Sequence, residues 1–246
     1  MANYLRPQTV GDVLRNVAEI YGRNFGVIFL TYLPFSLIQV LQTEAQLAVQ
    51  IGAGLLDLLL LLFYVIAAWV AVACFAIGPL TVAVSDICLG NKPSVARSYG
   101  KVFGGLLGKL FVATLLQTLF IFIGLILLIL PGVLAMLWLL LTPSVVVLEG
   151  LGGMKALKRS KALGQGYNWR NLGIILLLQV LSSIPFVLFA LLMPNALGQF
   201  GGRLLFVALQ SLTGPLTVVV IVLLYYDLRV RKEAYDAAAL AEDLRR

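Results

Sequence analysis

Long stretches of this chain run without a charged side chain, among them Leu58 to Ala76, Leu110 to Leu130 and Ile174 to Leu192. A helix rises 1.5 Å per residue, so about 20 such residues cross a hydrocarbon core about 30 Å thick. Lipid cannot satisfy exposed backbone N–H and C=O groups, so apolar runs of this length are read as membrane-crossing helices. Composition agrees: 61% of the residues are hydrophobic and 12% charged, with a mean hydropathy of +1.01. A soluble domain carries about 25% charged residues. The expected fold class is all-α, a polytopic membrane protein.

The pattern predicts six spans, over 25–42, 57–89, 109–130, 132–149, 171–192 and 204–228. The second is too long for one perpendicular crossing and must tilt or bend at Gly78-Pro79, where the proline lacks an N–H. Leu130-Pro131-Gly132 reads as a tight turn between the third and fourth spans. Residues 1–25 are polar and charged and show no removable targeting segment. Of the eighteen basic residues, seventeen fall on one side of this topology and only Arg203 on the other. The positive-inside bias then places both termini and the long basic connections in the cytoplasm. On this reading residues 1–229 form the transmembrane domain, and 230–246 a charged cytoplasmic C-terminal helix.

Within that domain the chain repeats itself. "GPLTV" occurs at 78–82 and 214–218, with the related "TPSVVV" at 142–147. Each is followed by an acid: Asp86, Asp227 and Glu149, respectively. Basic stretches of helical periodicity precede the odd spans: "VGDVLRNVAEIYGRNFG", "SVARSYGKVFGGLLGK" and "GMKALKRSKALGQGYNWRNLG". Helices of that kind belong at the membrane–water boundary. Inside the odd spans "LIQVLQ", "LLQTLF" and "LLQVLS" set Gln39, Gln117 and Gln179 at matching depth. The expected unit is interfacial helix, span with glutamine, span with proline and acid. It is used three times, over about 9–90, 94–150 and 153–229.

Each recurring residue has a structural reading beside a functional one. Pro79, Pro143 and Pro215 free a carbonyl one turn earlier, which neighbouring helices or Thr81, Ser144 and Thr217 must satisfy; they are helix kinks or gates. The three glutamines are interhelical glue or the lining of a path. The acids are expected to pair with Arg97, Arg159 or Arg231, proton coupling being the alternative. Asp227 with Arg231, Arg229 with Glu233 and Lys232 with Asp236 stand four apart on the last helix.

Chemistry is sparse. The chain has no histidine, and no Walker loop, Gly-x-Ser-x-Gly, Cys-x-x-Cys or His-Glu-x-x-His motif. Cys74 and Cys88 lie fourteen residues apart in one predicted helix, about 21 Å and out of disulfide reach. Gly104, Gly105, Gly108, Gly150, Gly152 and Gly153 read as close-packing or turn positions rather than phosphate cradles. No catalytic, cofactor or metal residues are expected. The basic clusters lie beside spans, so they suit anionic lipid headgroups rather than nucleic acid. The densest offers Lys155, Lys158, Arg159, Lys161, Tyr167, Trp169 and Arg170 as headgroup contacts.

Four stretches carry a resemblance: "TVGDVLRNVAEIYGRNF", "LGNKPSVARSYGKVF", "EGLGGMKALKRSKALGQGYNWRNLG" and "YYDLRVRKEAYD". Together they look like the prokaryotic membrane proteins named for the glycerophosphoryl diester phosphodiesterase membrane domain. The resemblance implies a six-span protein of a bacterial or archaeal cytoplasmic membrane. It does not extend to hydrolysis, because the sequence has neither a barrel nor the histidine and clustered acids such chemistry needs. The function expected is that of a non-enzymatic membrane scaffold or accessory subunit, touching anionic lipids and a protein partner on the cytoplasmic face. A transporter or channel for a small or amphiphilic solute is the alternative.

Overall fold

A computed structural model describes residues 7–48, 54–192 and 198–233, which form helices and short connections with no strand among them. The helices are α1 (Val10–Arg23), α2 (Phe25–Ala48), α3 (Leu55–Val72), α4 (Gly78–Cys88), α5 (Val95–Lys101), α6 (Leu107–Leu127), α7 (Ile129–Leu139), α8 (Thr142–Glu149), α9 (Gly153–Gly164), α10 (Asn168–Leu192) and α11 (Gly198–Glu233). One π-helical turn, Ala73–Ile77, joins α3 to α4, and another, Val102–Leu106, joins α5 to α6. The C-terminal segment expected beyond Glu233, with Asp236, lies outside the described residues.

Five stretches are long and apolar enough to cross a bilayer: Ile66–Cys88, Val95–Leu127, Ile129–Glu149, Asn168–Phe189 and Leu204–Glu233. Phe25–Ser36, in α2, is apolar but shorter.

Local chemistry explains where these helices begin and end. Thr9 caps α1 reciprocally: its hydroxyl accepts from the Asp12 N–H at 3.2 Å, and the Asp12 carboxylate accepts from the Thr9 N–H at 3.0 Å. α1 then buries Val13, Val17 and Ile20 on one face and leaves Arg15 and Ala18 exposed. At the far end of α8, Gly150 adopts φ +66°, a left-handed cap that a side chain would strain.

The turn expected at Leu130-Pro131-Gly132 falls earlier. Only Leu128 leaves the helical region, at φ −163° and ψ 148°, and α7 has already begun at Ile129. Pro131 sits in the first turn of α7, where a missing N–H is tolerated. Gly132 does the rest. A Cβ there would lie 2.8 Å from the Leu125 backbone nitrogen, so α7 folds back on α6 with backbone nearly touching backbone. The glycines 104, 105 and 108 are not close-packing positions, since nothing stands within 4 Å of a Cβ at any of them. Gly105 instead interrupts the helical dihedrals between α5 and α6.

The core is formed by the segments that carry proline and acid. α4, α8 and the second half of α11 are buried almost all round, and each touches the other two. Helices apolar on every side belong in such a position. α6 and α10, by contrast, leave Ile123, Ile126, Val180 and Leu181 exposed, as helices facing hydrocarbon do.

Candidate functional site

Three carboxylates end the three core segments, and each meets an arginine. Asp227 is fully buried. It accepts from the Arg170 guanidinium at 2.6 Å, from Arg231 Nε at 3.0 Å and from the backbone N–H of Gln8 at 2.7 Å. Both arginines also donate to the Gln8 carbonyl, at 2.6 and 2.7 Å, and Asn16 of α1 donates to the Gln8 side chain at 3.1 Å. The segment before α1 is thereby clamped between α10 and α11.

Glu149 accepts from Arg159 Nε at 2.8 Å and from the Tyr225 hydroxyl at 3.0 Å. Arg159 reaches on to Glu233 at 2.8 Å, where Arg229 also donates, at 2.9 Å. The hydrogen-bonded Glu233 carboxylate, with Glu149 beside it, holds the Arg159 guanidinium above its ordinary pKa. Asp86 is equally buried, but its partner is weaker. Arg97 approaches Oδ1 only to 3.3 Å, without an aligned hydrogen bond, and is half exposed.

The prolines have hydroxyl partners on the basic helices. Pro79 cannot donate to the Phe75 carbonyl, and the π-helical turn falls just before it. The Tyr99 hydroxyl of α5 takes the place of the missing N–H, 2.9 Å from that carbonyl and 2.8 Å from the Thr31 carbonyl. The chain breaks between α7 and α8 just ahead of Pro143. There Ser160 of α9 donates to the Trp138 carbonyl at 2.8 Å and accepts from the Leu141 N–H at 3.2 Å. Ahead of Pro215, which α11 passes through without interruption, Tyr21 of α1 donates to the Leu212 carbonyl at 2.6 Å. Gly78 and Gly214 admit close neighbours: a Cβ would meet Leu110 Cδ2 at 2.8 Å and Tyr32 Cζ at 2.7 Å. Thr81 bonds the Ile77 carbonyl of its own helix at 2.7 Å, whereas the buried Ser144 hydroxyl has no partner.

The headgroup candidates of 155–170 divide into two sets. Arg159 and Arg170 face inward, held by carboxylates. Tyr167 lies beneath Arg231 and Lys232, and Lys161 sits 4.0 Å over the Trp138 ring. Lys155, Lys158 and Trp169 face outward, the indole 73% exposed. Lys232 closes the end of α9 by donating to the carbonyls of Ala162 and Gln165, each at 2.7 Å.

Between the helices lie two neighbouring cavities that share Trp69, Ile77, Leu140 and Ile221. The larger, about 570 Å³, holds Gln179, Ser182 and Gln210 among apolar side chains such as Phe186 and Phe206. The smaller, about 180 Å³, holds Gln117, whose Oε1 is buried without a hydrogen-bond partner. Gln39 belongs to α2, but its side chain lies outside the described ones.

Gln8, Tyr21, Tyr99 and Ser160 escape the sequence reading. The two tyrosines had a signal, since "YGR" at 21–23 and "YGK" at 99–101 occupy like places in the basic stretches. Gln8 and Ser160 had none. No group of three or more Cys, Asp or Glu able to hold a metal occurs among the described residues. Comparison with protein-family models, with curated proteins and with solved structures finds no match.

Proposed function

We propose that this chain is a non-enzymatic membrane scaffold whose basic helices lie on the cytoplasmic leaflet of a bacterial or archaeal membrane and contact anionic lipids. Its architecture is a helix–span–span unit used three times, with α2 as the first of six spans and both termini cytoplasmic. The network of acids supports this order. The acid closing one unit pairs with the basic helix opening the next: Asp86 with Arg97, and Glu149 with Arg159. Asp227 turns back to Gln8, at the threshold of α1. The ring closes.

One observation carries the functional reading. Arg159, Arg170 and Arg231 are held by internal carboxylates and Arg97 stands 3.3 Å from one, while Lys155 and Lys158 are exposed with no carboxylate partner among the described residues. Trp169, in the first turn of α10, is exposed as well, the side chain suited to the headgroup level. An unpaired lysine near an anionic surface contributes about 1 kcal/mol. Removing both, as Lys155→Ala with Lys158→Ala, is therefore expected to weaken the preference for phosphatidylglycerol over phosphatidylcholine about thirtyfold. Retention of each lipid by the purified protein, read by native mass spectrometry, measures it. An unchanged preference removes the reading.

A further inference from the structure

The larger cavity points to a ligand of its own, beyond any headgroup contact at the surface. Gln179 lies eleven residues into α10, about 16 Å along the helix and so near the middle of a bilayer. A volume of about 570 Å³ falls in the range of small-molecule sites, about 300–1,000 Å³.

The hydroxyls around this space differ in a telling way. Ser183 donates to the Val180 carbonyl at 2.8 Å and Thr213 to the Leu209 carbonyl at 3.0 Å. Each is satisfied by its own helix. Ser182 is 8% exposed, lines the cavity, and its Oγ has no partner. Buried polar groups in apolar surroundings ordinarily find one. Gln179 and Gln210 line the same space and add amide donors and acceptors. No charged side chain lines either cavity among the described residues. A charged ligand at this depth would find no counter-ion, which the low dielectric makes unfavourable.

We infer that this cavity binds an uncharged amphiphile of the monoglyceride class. Its hydroxyl or ester group bonds Ser182 and the two glutamines. Its acyl chain follows the Trp69 and Ile221 wall shared with the smaller cavity.

The probe is a monoglyceride brominated on its acyl chain, which quenches nearby indole fluorescence. The Trp138→Phe, Trp169→Phe protein keeps Trp69 as its reporter. Quenching in detergent is expected to saturate and to be reversed by unbrominated monoolein. Oleate, with the same chain and a charged head, is expected to need at least tenfold higher concentration. Gln179→Leu with Ser182→Val is expected to weaken monoglyceride binding at least tenfold while the helical spectrum is unchanged. Quenching that never saturates, that oleate reverses as well as monoolein, or that a folded double variant leaves intact overturns the proposal. Should the double variant fail to fold, the monoolein–oleate competition on the reporter protein decides alone.

Discussion

Asp86 and Asp227 occupy like places, each one turn or more beyond a Gly-Pro-Leu-Thr-Val segment and each with no exposed surface. Their surroundings are unlike. Asp227 receives two guanidinium groups and a backbone N–H, drawn from two helices and the segment before α1. Asp86 has one arginine, half exposed and imperfectly aligned. Burial alone therefore says little about what a carboxylate contributes. The number and source of its donors decide whether it holds the fold together or is merely accommodated by it.

The sharpest test of that contrast is Asp227→Asn. It would leave Arg170 and Arg231, each about three-quarters buried, facing a neutral amide. Breaking a buried ion pair by removing one partner destabilises by about 3–5 kcal/mol. The expected result is the largest loss of any single change at this end of the molecule, with release of the segment around Gln8. Thermal melting in detergent, together with faster proteolysis near residue 8, would register it. Melting unchanged from the parent would mean that the clamp contributes nothing.

The proline contacts sharpen the comparison at a smaller scale. Tyr99 serves the Phe75 carbonyl, to which Pro79 cannot donate an N–H. Tyr21 serves the Leu212 carbonyl, for which the N–H four residues on belongs to Leu216 and is intact. Loss of a hydroxyl is worse where the acceptor has no substitute. Tyr99→Phe is expected to destabilise by about 1–3 kcal/mol and Tyr21→Phe by about 0.5–1.5 kcal/mol. Equal melting losses for the two would show that the proline, as such, does not matter.

How far these features could be read in advance depended on how local their causes are. The apolar runs and the position of each acid follow from residues adjacent in sequence, so helix class and the pairings Asp86–Arg97, Glu149–Arg159 and Asp227–Arg231 were legible. The hairpin at Leu128 was misplaced by two residues. Pro131-Gly132 looks like a turn, whereas its work is to let α7 approach α6 from within the first helical turn. Gln8 at Asp227 was invisible, because 219 residues separate them and a backbone N–H carries no side-chain signature. The cavity was half visible. The glutamines of the apolar runs announced polar groups there, but only packing distinguishes Ser182, left unpaired, from Ser183, bonded to its own helix.

The smallest effect is the most instructive. Asp86→Asn removes a buried charge whose attraction to Arg97 is spread over 3.3 Å and screened on the arginine's exposed side. Pairs with one exposed partner contribute about 0–1 kcal/mol, while burying a carboxylate is itself unfavourable. The two contributions oppose each other. Melting is therefore expected to shift by no more than about 1 kcal/mol in either direction, with stabilisation as acceptable an outcome as loss. With no aligned donor, Arg97 and the nearby Asn91 and Lys101 offset less of the desolvation than the three donors do at Asp227. If Asp86→Asn proved as damaging as Asp227→Asn under the same detergent and salt, donor number would not be what separates the two sites. The explanation would then have to lie in the Ser85–Tyr226 contact next door, 2.5 Å between hydroxyls, which ties α4 to α11 one residue before either acid.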